Sequence, residues 1–133
     1  MRLSRKSEYA LLALIDLAEN SGIEAVKIID ISERKSIPKK YLEQILLQLK
    51  NVGLVKSVRG AGGGYLLAKN PQEINMAQVI RLFDGPLGPV NSVSKYFYEA
   101  TPIEQHSKLL NVFQEMRDTI AEKMENTNLS DLL

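Results

Sequence analysis

Apolar residues recur along the chain with two distinct periods. In the first twenty residues they fall at Ala10, Ala13, Leu14, Leu17 and Ala18, the i, i+3, i+4, i+7 spacing of one helix face. Ser4 is placed to cap this helix, and Asn20-Ser21-Gly22 supplies a C-terminal stop. Ala25 and Val26 suit a brief strand, followed by a short helix from about Ile28 to Arg34. After the tight connection Lys35-Ser36-Ile37, with Pro38 fit for a first turn, Leu42, Ile45, Leu46 and Leu49 repeat the helical spacing until Gly53. Two helices joined by about three residues are the helix-turn-helix signature.

The pattern then turns strand-like in two short runs, Leu54 to Val58 and Tyr65 to Ala68. Between them Arg59-Gly60-Ala61-Gly62-Gly63-Gly64 carries four of the eight glycines, which marks a hairpin whose tip bends sharply or presses close to something. A phosphate-binding Walker loop would end in Gly-Lys-Ser/Thr and open a helix, whereas Gly64 is followed by Tyr65-Leu66-Leu67. The dinucleotide fingerprint fails as well, because its third glycine would fall on Tyr65. A tight turn without a partner and a nucleic-acid-binding wing both fit the loop by itself.

Further along, Asn75 with Gln78 forms a capping box for a helix with Met76, Val79, Ile80 and Phe83 on one face. Asp84-Gly85-Pro86, Gly88 and Pro89 break the chain. Thr101-Pro102-Ile103-Glu104 combines a capping threonine, a first-turn proline and a capping-box glutamate, and predicts a helix from Pro102 to about Asn126. Such a helix would run about 37 Å. Leu109, Phe113, Met116 and Ile120 make one stripe on it, widened by Leu110, Val112 and Met124. That breadth suits a self-complementary dimer, although packing back on its own domain is the competing reading.

Composition narrows the chemistry. At 133 residues and 44% hydrophobic content the chain suits one ordinary domain with an appended element. The absence of cysteine excludes disulfides, thiolate metal sites and catalytic thiols, and a single His106 removes any two-histidine metal site. No apolar run approaches the ~20 residues of a membrane span and no signal-peptide pattern opens the chain, so the expectation is a cytoplasmic protein without membrane contact. Net charge is only +1, but it is divided: residues 1–70 hold 12 Lys and Arg against 7 Asp and Glu, residues 71–133 hold 5 against 9. The basic half contains the glycine hairpin, as a protein that meets phosphates with one face requires.

Helix, turn, helix and glycine-tipped hairpin within a basic half describe a winged helix-turn-helix. The fold class expected is mainly α with a small β-wing (α+β). Residues 1–84 form the DNA-binding domain, 85–101 a linker or sensor loop, and 102–133 a long dimerisation helix with a C-terminal segment. With the aliphatic stripe of the third helix inward, Lys39, Lys40, Tyr41 and Gln44 are the candidate base or backbone contacts; solvated lysines on an ordinary amphipathic helix are the bland alternative. Arg59 is the candidate minor-groove contact, with the Gly60 to Gly64 backbone, including Gly62 and Gly63, close to phosphate. The expected partner is a palindromic duplex bound by a homodimer through Leu109, Phe113, Met116 and Ile120. A winged helix used only for protein contact is the alternative, and it leaves Arg59 and the basic half without a task. An enzyme has least support, since no activated nucleophile or paired histidine is present.

The chain resembles the Rrf2 family of bacterial winged-helix transcription regulators over nearly its whole length. The resemblance is carried by Ser7-Glu8-Tyr9-Ala10-Leu11, by Tyr41-Leu42-Glu43-Gln44-Ile45, by Gly53 through Leu67, by Val79-Ile80-Arg81 with Asp84-Gly85-Pro86, and by Thr127 through Leu133. It implies a homodimer crossed through the long helices, a palindromic operator, most often repression, and a DNA-side role for Tyr9. Many members hold an iron-sulfur cluster with three cysteines in the loop before the long helix, here about Asn91 to His106. This chain has none, and Glu99, Glu104 and His106 are too hard and too few to replace them. It is therefore similar to a cysteine-free branch with no such cluster, in which a metabolite, a partner protein or a different cofactor supplies the signal, sulfur or cysteine metabolism being one source. The aromatics Tyr96, Phe97 and Tyr98 in the linker either pack a dimer interface, the favoured reading, or belong to the sensor.

Overall fold

The computed structural model describes residues 2–133. They group into two compact units: residues 5–74 with 128–133, and residues 75–127 with the N-terminal residues through 4. Among the described residues no helix is long and apolar enough to cross a membrane.

The first unit holds helices α1 (Arg5–Glu19), α2 (Ile28–Lys35) and α3 (Lys39–Asn51) and the hairpin β1 (Val55–Val58) and β2 (Gly64–Leu67). The two stripes read from the sequence form its core: Ala10, Ala13, Leu14 and Leu17 of α1 are buried, as are Leu42, Ile45, Leu46 and Leu49 of α3. Alanines on α1 let the α3 leucines and isoleucine approach closely, and α1 packs against both α2 and α3. A buried carboxylate ties α1 to α2, with Arg34 donating to both oxygens of Asp16 at 2.8 and 3.0 Å. That guanidinium is held protonated beyond its ordinary range by the Asp16 hydrogen bonds.

The turn between α2 and α3 depends on Ser36, whose left-handed backbone (φ 54°, ψ 43°) reverses the chain at a position where glycine is the commoner choice. Ser32 secures it: its carbonyl accepts from the Ile37 amide at 3.1 Å and its hydroxyl donates to the Ile37 carbonyl at 2.6 Å. Ile37 is buried and fixes where α3 begins.

β1 and β2 pair antiparallel from Val55 with Leu67 to Val58 with Gly64. The expected strand near Val26 is an isolated bridge to Tyr65, with amide-to-carbonyl bonds of 2.8 Å in both directions. This bridge explains Gly64. Its φ is +152°, and a Cβ there would lie 2.3 Å from the Val26 carbonyl oxygen. Gly63 is equally confined, under the Val58 carbonyl at 2.5 Å, while a Cβ on Gly62 would meet nothing within 4 Å. The end of the chain completes this unit with a 3-10 turn (Leu129–Leu132), capped by an Asn128–Asp131 box and joined to Ile74 by a 2.8 Å bond from the Leu129 amide.

The second unit contains α4 (Met76–Asp84) and α5 (Ser107–Glu125). The Asn75–Gln78 capping box starts α4 as expected, with both reciprocal hydrogen bonds present. The expected helix start at Thr101 does not form. Thr101 donates its hydroxyl to Ser92 at 2.7 Å instead of capping, residues Pro102–Gln105 make a 3-10 turn, and extended backbone at His106 interrupts the run. His106 is the cap, its Nδ1 accepting from the Leu109 amide at 3.2 Å. The helix is 19 residues long, or about 28 Å. No residue of α5 is fully buried within the chain.

Urea unfolding is expected to show Gly64→Ala destabilised by about 2 to 4 kcal/mol from backbone strain and overpacking, with Gly62→Ala within about 0.5 kcal/mol of the parent. Arg34→Met should lose about 3 kcal/mol, near the lower end for a buried pair because Arg34 is 42% exposed while Asp16 is 1% exposed. The double variant Asp16→Leu with Arg34→Met should recover most of that loss, because no uncompensated charge is left inside.

Candidate nucleic-acid interface

The buried stripe of α3 dictates what its other face presents. Lys39, Lys40, Tyr41, Glu43, Gln44 and Gln48 are exposed, and among the described residues neither Lys39 nor Lys40 forms an ion pair. Tyr9 of α1 lies beside this face, its ring 6.2 Å from that of Tyr41 and tilted by 42°. Two residues reached by separate routes in the sequence thus come together on one surface.

The Val26–Tyr65 bridge brings the hairpin alongside the start of α2. Between them runs a groove of about 490 Å³, with Lys27 and Lys39 on one side and Gly60, Gly63 and Gly64 backbone on the other. Arg59 is exposed at the end of β1 and forms no ion pair among the described residues. Lys27 was not anticipated from the sequence. It directly precedes α2, whose first turn has no side-chain cap, and a basic residue before an uncapped helix start is the signal that could have drawn notice.

The glycines prove more specialised than a freely approaching backbone. Gly60 sits at φ +99° in the turn closed by the Gly63 amide, 2.9 Å from the Gly60 carbonyl. Gly63 and Gly64 are required by contacts inside the wing and with Val26. Gly60 and Gly62 are both exposed with open space around them, and of the four only Gly62 has neither a neighbour in the way nor a positive φ.

The residues expected at a dimer interface lie along α5. Leu109 and Met116 are exposed with their neighbour Val112, at 41, 46 and 44%, and Phe113 and Ile120 are half-buried. A run of exposed aliphatic and thioether side chains on one helix is an unsatisfied apolar surface. In the preceding segment Tyr96 and Tyr98 stand about 60% exposed. Tyr98 donates to Glu104 at 2.5 Å, and this bond pushes its phenol above its ordinary range.

The Rrf2 family profile, described as an iron-dependent transcriptional regulator, matches residues 3–133. The chain is 35% identical to the HTH-type transcriptional regulator CymR of Bacillus subtilis over 99% of this chain and 89% of that one. It is 36% identical to the HTH-type transcriptional regulator IscR of Pectobacterium atrosepticum, over all of this chain and 79% of that one. The solved structure of B. subtilis CymR, described as that organism's global cysteine regulator, superimposes with a TM-score of 0.80 at 32% identity, covering 99% of this chain and 95% of the other.

The iron in the family's description meets an unsuitable donor set here. Iron-sulfur iron is normally held by thiolates, and the sequence contains no cysteine. Among the described residues no three His, Asp or Glu side chains group as metal ligands. The nearest candidates are engaged elsewhere: Glu99 accepts from Asn91, Glu104 from Tyr98, and His106 Nδ1 from the Leu109 amide. These residues do not fit an iron-sulfur centre. With a mostly helical, two-stranded winged fold and full-length similarity to regulators rather than enzymes, the chain belongs to the Rrf2 family of transcriptional regulators.

Proposed function

We propose that this regulator is a homodimeric, sequence-specific DNA-binding repressor that reads a palindromic operator, with α3 in the major groove and the hairpin as a wing in the adjacent minor groove. The observation that carries the reading is the groove in which Lys27, Lys39 and the glycine backbone of the wing converge, next to the exposed polar face of α3. Cations that form no ion pair and line one groove suit phosphate contacts, and the uncapped first turn of α2 adds backbone N–H groups and a favourable dipole. Tyr41 and Gln44 are then the base-edge readers, Tyr9 buttresses Tyr41, and Arg59 enters the minor groove.

Two-fold pairing through Leu109, Phe113, Met116 and Ile120 supplies the symmetry that a palindrome requires. The operator is released or held by a signal other than an iron-sulfur cluster, since the chain lacks the thiolates for one. The description of CymR as a cysteine regulator favours a metabolite or protein of sulfur metabolism as the source. The protein acts without a resident cofactor, in the cytoplasm.

Fluorescence anisotropy on an operator duplex is expected to show affinity falling steeply with salt, and Arg59→Ala weakening binding by about 1 to 3 kcal/mol. Lys39→Ala and Lys40→Ala should each flatten the logarithmic salt slope by about one unit; an unchanged slope in both would remove α3 from the phosphate contacts. Salt-independent binding, or none, would favour a winged helix used for protein contact alone. In analytical ultracentrifugation the parent should sediment as a dimer and the double variant Leu109→Asp, Met116→Asp as a monomer of unchanged helix content. A variant that stayed dimeric would move the interface off this stripe.

A further inference from the structure

The second unit contains a cavity of about 550 Å³ between the end of α4, the segment 94–97 and the last turns of α5, within the size range of small-molecule sites. Its walls carry three cations and three carboxylates, of which most are already committed. Arg81 donates to Glu125 at 2.7 Å, and Arg117 holds Asp118 at 2.6 Å and the Val93 carbonyl at 2.8 Å. Glu125 is kept ionised, its pKa lowered chiefly by the Arg81 hydrogen bond, with Lys95 adding to the effect. Two exposed wall residues of opposite sign, Lys95 and Glu122, form no ion pair among the described residues, although Lys95 also acts on Glu125 from a distance. Leu87, Phe97 and Ala121 supply an apolar patch beside them.

These residual charges select among ligand classes. A simple anion would meet Lys95 but also the carboxylate of Glu122, and a simple amine would meet the reverse. The ring of Tyr96 does not offer a free cation site, because Arg81 lies 4.7 Å and Lys95 5.3 Å from its centroid. A small molecule with one carboxylate, one ammonium and an apolar portion matches every wall. We propose that this cavity binds a free α-amino acid, its carboxylate on Lys95, its ammonium on Glu122 and its side chain against Leu87, Phe97 and Ala121.

The cavity is compatible with a dimer formed through α5. At 3.6 residues per turn, Asp118, Glu122 and Glu125 lie roughly 150 to 170° around the helix from the Leu109–Phe113–Met116–Ile120 stripe, with Ala121 about 110° and Arg117 about 70° away. Pairing along the stripe leaves Asp118, Glu122 and Glu125 open. The bound amino acid bridges the 94–97 segment to α5, and through this it acts as the signal that changes DNA affinity. That regulatory role rests on the DNA-binding reading above, whereas binding of the amino acid does not.

The test is thermal shift and calorimetry on the full chain with the standard L-α-amino acids at millimolar concentration. At least one is expected to raise the unfolding midpoint and bind. Its N-acetyl and carboxamide derivatives, each lacking one charge, should bind about threefold more weakly, because each loses one ion pair with an exposed wall residue. Lys95→Gln and Glu122→Gln should each weaken binding by a similar factor while the unliganded midpoint stays at the parent value. No stabilising amino acid, derivatives that bind as well as their parent, or both variants binding normally would overturn the site. Operator binding with and without the amino acid tests the regulatory half: a change in DNA affinity abolished by Lys95→Gln supports it, and an unchanged affinity at saturation overturns it. A chain that bound the amino acid but no duplex would keep the site and reject the DNA-binding reading.

Discussion

Two backbone hydrogen bonds between Val26 and Tyr65, and the side chain that Gly64 must lack for them to form, hold the first unit in its working arrangement. A two-stranded hairpin is marginal in water by itself. The bridge gives β2 a second neighbour on its open edge and sets the wing beside the start of α2. The groove of Lys27, Lys39 and glycine backbone follows from that placement. Any Cβ at residue 64 would push the Val26 carbonyl away and open the groove from its base.

Around this anchor, two other constraints orient α3. The Leu42–Ile45–Leu46–Leu49 stripe fixes its rotation, since a turn of the helix that exposed these residues would expose most of the core. The Ser36 turn, with Ser32 bonded across it to Ile37, fixes where α3 starts. Rotation and start together decide that Lys39, Lys40, Tyr41 and Gln44 face outward at the N-terminal end. The Asp16–Arg34 pair then holds α2 against α1 at a polar contact inside an otherwise apolar layer.

Periodicity made the helices, the hairpin and the α3 surface legible in the sequence, because those features depend on residues close along the chain. The Asn75–Gln78 box was legible for the same reason. Where competing local signals met, distant partners decided. Thr101 looked like a cap but gives its hydroxyl to Ser92, and His106, which carries no capping signature, closes the first turn of α5. Gly62, Gly63 and Gly64 look equivalent in sequence, yet only the approach of Val58 and Val26 distinguishes them. Arg34 with Asp16, Lys27 in the groove and the Lys95–Glu122 cavity all join residues whose proximity no spacing rule encodes. The missing cysteines were plain from composition, and the structure adds that the remaining hard donors are occupied by ordinary hydrogen bonds.

On the proposed reading, paired copies of this α3-and-wing surface bind a symmetric DNA sequence. Selection of genomic fragments by the purified chain, followed by footprinting, tests it most directly. Enrichment of an inverted repeat with half-sites about one helical turn, or a multiple of it, apart is expected, with protection of the minor groove next to each half-site. Fragments recovered without enrichment over the input pool, or a site without two-fold symmetry, would contradict it.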